Sequence, residues 1–132
     1  RMGDIVRNIC ERVEEMVDLP QTQTPNSLVQ LFDMVENAVE KSLDAFVEIS
    51  SPLATEALNL DDDIDELHLE IFGSLVSEMK KEPSSIDALM KFVYIAKNLE
   101  RIADHAMNVA EQVIFVAEGL DVRHTGSKSA EA

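Results

Sequence analysis

Apolar residues recur every three or four positions along most of this chain, which is the period of an amphipathic α-helix. The pattern predicts four helices. They cover roughly residues 2–17, 24–48, 51–81 and 84–118. At about 1.5 Å per residue the last two are each about 45–50 Å long, a length that suits an antiparallel bundle with short connections.

Local signals mark where these helices begin and end. The pair Ser51-Pro52 resembles a helix start, because serine caps a helix and proline fits its first turn. Ser84, with Asp87 three residues later, resembles a capping box at the start of the last helix. Gly119 is predicted to end that helix.

The composition favours an all-α protein. Only 4 glycines and 4 prolines occur in 132 residues, and tryptophan is absent, so a sheet protein with many turns is disfavoured. We predict an antiparallel three-helix bundle with an additional N-terminal helix, an arrangement that could close as a four-helix bundle. The predicted divisions are a terminal helix over 1–18, a loop over 19–26, the bundle over 27–119 and a polar tail over 120–132.

The segment "NLDDDIDELHLEI" places four aspartates within five positions. The apolar period puts them inside the third predicted helix, although aspartate is a poor helix former and like charges three or four residues apart repel. We therefore expect a group outside this helix to offset the repulsion. The alternative interpretation is an ordinary solvated acidic face.

The overall charge restricts the partners. The formal net charge is −15, which argues against binding nucleic acid or anionic membrane surfaces, since both favour clustered lysine and arginine. No apolar run approaches the ~18 residues that a membrane-spanning helix needs, so no direct membrane insertion is expected. Cations and basic protein surfaces are the expected partners.

The chain contains an internal match at an offset of 100 residues. "RMGDIVRNICERV" at Arg1 aligns with "RIADHAMNVAEQV" at Arg101, and it pairs Asp4 with Asp104 and Asn8 with Asn108. Most matched positions are polar, so amphipathicity alone does not explain them. A period this long indicates duplicated bundles, and the opening helix reads as the end of a preceding repeat.

At these motifs the sequence resembles the PhoU family, the bacterial phosphate-uptake regulators. "LERIADHAMNVAE" is similar to the family's C-terminal signature, "DDDIDEL" to the acidic motif of the preceding helix, and "EGLDVRHTG" to the family's ending. The resemblance covers about residues 27–126. It implies two three-helix bundles in tandem, of which this chain would be the second, preceded by the last helix of the first.

The resemblance also implies a metal site. Family members bind metal through E/D-x-x-x-D motifs, which fall here on Asp61 with Asp65 and on Glu100 with Asp104. A spacing of four places each pair on one face of its helix, and oxygen ligands suit magnesium, manganese, calcium or iron, with zinc as a further candidate. His68 could add a nitrogen ligand, although a histidine on a helix flank is more often simply exposed. In the first copy, only Asp4 of the corresponding pair lies within the chain.

The function implied by the resemblance is regulatory, without catalysis. PhoU proteins restrain phosphate uptake and the phosphate regulon by linking the ATPase subunit of the phosphate ABC transporter to a sensor histidine kinase, in the bacterial cytoplasm and peripheral to the inner membrane. The alternative is a carboxylate-bridged di-iron enzyme or ferritin-like storage bundle. That chemistry needs two E-x-x-H motifs inside the bundle, and here only Asp65 with His68 approximates one of them. A buried site would favour the enzyme, and a shallow exposed site would favour the regulator.

Self-association is a further expectation. The opening helix carries an apolar flank that could pair with a second copy to form a homodimer. The flank consists of Ile5, Ile9, Val13 and Met16.

Overall fold

The computed structural model describes residues 1–16 and 23–130, with side chains up to residue 119. The described residues form five α-helices and one 3₁₀ turn, and no strand. The elements are α1 (Met2–Glu15), α2 (Asn26–Glu48), α3 (Ser51–Leu58), α4 (Asp61–Lys81), the 3₁₀ turn Pro83–Ser85, and α5 (Ile86–Ala130). The all-α prediction is confirmed. Residue 17 and residues 19–22 of the predicted loop lie outside the described residues, and no helix among the described ones is long and apolar enough to cross a membrane.

A bundle forms around α5, which packs against α2, α3, α4 and α1. Its main core is built from the inward-facing apolar residues of α2, α4 and α5, among which Leu31, Ile64 and Ile71 are almost completely buried. A second, smaller cluster is rich in alanine, with Ala45, Ala57 and others joining the end of α2 to α3 and α5. Small side chains there allow the helices to approach closely.

The helix α1 docks on α5 within the same chain. Glu15 pairs with Lys91, and the Arg12 guanidinium lies 4.6 Å from the centre of the Tyr94 ring. Because the later residue of α1 meets the earlier residue of α5, the two helices run antiparallel. Hydrogen bonds from Lys91 and then from Arg12 hold the pKa of Glu15 below its ordinary value.

This docking corrects the predicted free flank on α1. Ile5 is buried, and Ile9 and Met16 are partly buried against the main core, so only Val13 remains exposed. The apolar period alone could not decide whether the flank faces its own bundle or a second copy. The structure therefore removes the reason for expecting a homodimer through this surface.

The connection between α2 and α3 contains a strained residue. Ile49 adopts a left-handed conformation with φ 49° and ψ 48°, which is unusual for a β-branched residue. The backbone N–H of Ser50 donates to the carbonyl of Ala45 at 3.0 Å, closing the end of α2 as in a Schellman motif. Ser50, not Ser51, is the cap of α3, since its hydroxyl accepts from the backbone N–H of Leu53 at 3.4 Å.

The prediction of one continuous third helix is wrong. A turn at Asn59 and Leu60 separates α3 from α4, and the backbone N–H of Leu60 donates to the carbonyl of Ala57, three residues back. Both turn residues keep helical φ angles, so the apolar ridge continues across the break and the periodicity does not reveal it. As a result, Asp61 begins a helix and does not lie within one.

The bounds of α5 also differ from the predicted ones. The helix begins at Ile86, after the 3₁₀ turn, and continues through Gly119 to Ala130. An internal glycine costs about 1 kcal/mol relative to alanine but ends a helix only where the backbone turns left-handed. Gly119 has no positive φ, and the helix end predicted there is wrong.

Candidate functional site

The helices α4 and α5 bring four of the predicted carboxylates to one surface. Asp61 and Asp65 lie on α4, and Glu100 and Asp104 lie on α5. The charges of Asp65 and Asp61 both act on Asp104, and the charge of His68 acts on Glu100. The later residue of α4 thus meets the earlier residue of α5, as expected of antiparallel neighbours. We call these four residues the carboxylate cluster.

Local sequence explains the α4 half of the cluster. Asp61, Asp62 and Asp63 occupy the first turn of α4, where negative charge is favoured by the unpaired N–H groups and by the helix dipole. Asp61 and Asp65 are one turn apart, so both lie on the flank of α4 that faces α5. The buried ridge of Ile64 and Leu67 holds this flank in place.

The α5 half contains two carboxyl groups with opposite pKa shifts. Loss of water around Asp104 and then the charge of Glu100 raise the pKa of Asp104 to about 6. Partial burial tends to raise the pKa of Glu100, but Lys97, whose Nζ donates to the carboxylate at 2.7 Å, together with Asp104 and His68 outweighs it and lowers that pKa. When Asp104 is protonated, its O–H can therefore donate a hydrogen bond to the Glu100 carboxylate.

The pKa of Asp61 is raised as well. Partial burial is the largest cause, followed by the charges of Asp65, Asp62, Glu111 and Glu100. All of these neighbours are negative. Among the described residues, positive charge from Lys97 and His68 acts on Glu100, whereas the charges that raise the pKa of Asp61 and Asp104 are all negative.

The cluster is shallow. Asp65 and Asp104 are exposed, whereas Asp61, His68 and Glu100 are half-buried. The cluster therefore lies at the surface and lacks the burial inside the bundle that di-iron chemistry needs.

The donor set fits a hard cation by its chemistry, since several carboxylate oxygens converge on one negatively charged surface. Within the described residues, however, no three His, Cys, Asp or Glu side chains are arranged closely enough to hold a metal ion as they stand. Binding would thus require side-chain rotation, which exposed carboxylates allow.

Asp4 does not join the cluster. It is exposed on α1, 3.7 Å from Arg7 of the same helix, and it is not among the main charges that act on Asp61, Glu100 or Asp104.

Two residues of the site were not anticipated, Lys97 and Glu111. Lys97 lies three residues before Glu100 and Glu111 eleven residues after it, so both fall near the same face of α5. This spacing could have identified them from the sequence.

Comparison with known proteins identifies similar chains. Residues 28–113 match the family model of the PhoU domain. The chain is 34% identical over 131 residues to the phosphate-specific transport system accessory protein PhoU homolog of Pseudomonas putida, covering 97% of this chain and 50% of that protein. It is 30% identical to the proteins of the same name from Pseudomonas aeruginosa, covering 96% of this chain and 52% of that protein, and from Clostridium acetobutylicum, covering 92% and 56%. The chain thus spans about half the length of these curated relatives.

Proposed function

Because this chain belongs to the PhoU domain family, we propose that it acts as an accessory protein of a phosphate-specific transport system, by regulation and without catalysis. The observation that carries the proposal is the similarity along nearly the whole chain to proteins of that name. The exposed carboxylate cluster supports it, because such a surface suits reversible contacts better than a reaction that needs a dry pocket.

At a finer level, we propose a negative regulator of phosphate uptake and of the phosphate regulon. The protein would link the ATPase subunit of the phosphate ABC transporter to a sensor histidine kinase, at the cytoplasmic side of the inner membrane and through these partners alone. The net charge of −15 supports this role, since an acidic bundle favours encounter with basic surfaces.

The metal-binding part of the proposal assigns Asp61, Asp65, Glu100 and Asp104 as oxygen ligands, with His68 as a further candidate. A bound iron, zinc, manganese or magnesium ion would supply positive charge between α4 and α5. The residues themselves provide the carboxylates and hold the two helices side by side. The raised pKa values of Asp61 and Asp104 support the assignment, because partial burial and then neighbouring negative charges both disfavour their ionised forms, and a cation would offset both causes.

Elemental analysis of protein purified without chelator tests the metal assignment. We expect stoichiometric metal in the wild type and its loss from an Asp65→Asn/Asp104→Asn variant of unchanged helicity. An Asp33→Asn/Asp44→Asn variant removes two exposed carboxylates from α2 and should retain the metal. Absence of metal from the wild type, or equal loss from both variants, would remove the assignment. A collapsed circular dichroism spectrum in the cluster variant would make its residues structural instead.

A phosphate-regulated reporter tests the regulatory role. In a bacterium lacking its own PhoU protein, the reporter should be active even when phosphate is plentiful, and production of this protein should repress it. Failure to repress, with the protein present at normal abundance, would contradict the role.

A further inference from the structure

The helix α2 carries apolar residues on two sides. One side faces the core through Leu31, Val35 and their neighbours. The other, here called the α2 apolar stripe, consists of residues that are all about half exposed or more: Val29, Phe32, Leu43, Phe46 and Val47. The exposed fraction reaches 63% at Phe46 and 79% at Val47. A helix with a second apolar side normally buries that side against another element.

The stripe has helical spacing and considerable length. At about 100° per residue, Phe32, Leu43 and Phe46 fall within a sector of about 60° on the helix surface. From Val29 to Val47 the stripe extends about 27 Å along the axis. This is the length of an amphipathic helix of about five turns, laid alongside α2.

Beside the stripe runs a row of negative charge, here called the α2 acidic row. Its members recur every three or four residues and are all exposed: Asp33, Glu36, Glu40, Asp44 and Glu48. None of them forms an ion pair within the part of the chain that the structure describes. The single basic residue of α2, Lys41, is held by Glu56 of α3 at 2.8 Å. The outer side of α2 is therefore apolar along the line of Phe32, Leu43 and Phe46 and acidic beside it, with Glu36 at the edge where the two meet.

The charge determines what can cover the stripe. A second copy of this chain would place an acidic row against another acidic row, and each copy carries a formal net charge of −15. A helix with an apolar face flanked by lysine or arginine would instead match both lines of α2. We propose that the outer face of α2 is a docking site for a basic amphipathic helix of a partner protein.

This inference rests on the adaptor role proposed above, because the docking site would be the surface through which the adaptor binds one of its partners. Its test involves neither phosphate nor metal. The docking site can therefore fail while the regulatory role holds, and the reverse.

The probe is a labelled 18-residue peptide with leucine at helical i, i+3, i+4 and i+7 positions and lysine elsewhere. One control peptide replaces lysine by glutamate, and another keeps the composition but scatters the leucines. Fluorescence anisotropy should show binding of the lysine peptide alone, weakening as salt screens the acidic row. Equal binding of the scattered peptide would overturn the proposal, because it would reduce the interaction to net charge.

A pair of variants locates the binding surface. Phe32→Ser/Phe46→Ser should weaken binding about tenfold or more, because truncating aromatic residues at the centre of an interface removes most of its anchoring contact. Leu69→Ser/Phe115→Ser is the matched control, since these residues on α4 and α5 are 69% and 80% exposed, and it should change binding less than about twofold. Similar weakening by both variants, or no binding to the wild type, would overturn the proposal.

A third variant, Glu40→Gln/Asp44→Asn, keeps the apolar stripe and should reduce the salt dependence. An unchanged salt dependence would remove the acidic row from the site. Sedimentation tests the competing occupant: a dimer of the wild type that is lost in the Phe32→Ser/Phe46→Ser variant would make α2 a self-association surface and overturn the assignment to a basic partner.

Discussion

Neutralising Asp104 should stabilise the metal-free chain at neutral pH. The pKa of this carboxyl group is raised from 3.8 to about 6 in the folded chain, so the folded state binds the proton more tightly than the unfolded state does. The stabilisation from that proton is complete below pH 3.8 and is lost as the pH rises through about 6. Wild type should therefore be more stable at pH 5 than at pH 7.5, and Asp104→Asn should reduce this dependence, leaving the smaller part that comes from the raised pKa of Asp61.

The size of the effect follows from the shift. Two pKa units correspond to at most about 3 kcal/mol at 1.36 kcal/mol per unit. Asp104 is exposed, and solvent screening reduces such interactions severalfold, so about 1 kcal/mol is the expected gain of Asp104→Asn at pH 7.5. For a domain of this size that is a rise in melting temperature of roughly 4 °C. The pKa of Glu100 is lowered from 4.5, so protonation of Glu100 changes the stability only below about that pH and does not contribute between pH 5 and pH 7.5.

Urea and thermal unfolding followed by circular dichroism, in chelator at pH 5 and pH 7.5, measure the effect. Glu66→Gln on the outer side of α4 is the matched control for removing one negative charge from an acidic chain. A variant no more stable than wild type at pH 7.5 would refute the reasoning. An equal gain at pH 5, or an equal gain from Glu66→Gln, would show that general charge reduction and not the cluster is responsible.

Three further changes test the fold by the same unfolding measurement. Ile49→Gly should raise the stability by about 1 kcal/mol, because glycine adopts the left-handed conformation at the end of α2 without strain; a loss would mean that the Ile49 side chain packs. Leu31→Ala should lower it by about 3 kcal/mol, since Leu31 is fully buried, whereas the exposed Val47→Ala should change it by less than about 0.5 kcal/mol; equal losses would contradict the assigned core. Asn98→Leu should raise it by about 1 kcal/mol, because the buried Oδ1 of Asn98 has no hydrogen-bond partner among the described residues; a loss would mean that the hydrogen bond from Asn98 Nδ2 to the carbonyl of Tyr94 at 2.9 Å contributes more than the unpaired Oδ1 costs.

Periodicity was sufficient for the helices but not for their breaks. The apolar ridge through Ala57 and Ile64 continues across the turn at Asn59 because both turn residues keep helical φ angles. The aspartates themselves were the missed signal, since acidic residues concentrate in a first turn. At Gly119 the error was the opposite one, a predicted helix end where α5 continues. A glycine marks a helix end only when the backbone there turns left-handed.

The candidate site was predictable only in part. The spacing of four places Glu100 and Asp104 on one face of α5, but the family resemblance was needed to pair that face with Asp65. The opposite pKa shifts of Glu100 and Asp104 depend on Lys97 and on charges from a second helix. Such shifts follow from distances across the bundle, which no pattern along one helix specifies.

The acidic run of α4 divides into two sets with opposite physical consequences. Asp62 and Asp63 are exposed in the first turn, where the helix dipole accounts for their negative charge. Asp61 and Asp65 lie on the flank shared with α5, where partial burial and then four negative neighbours raise the pKa of Asp61. The helix dipole also favours a negative charge at Asp61, but the raised pKa shows that burial and the neighbouring charges outweigh it, and residues that oppose local stability are expected at functional sites. The metal proposal therefore rests on Asp61, Asp65 and their partners on α5, and not on the acidic run as a whole.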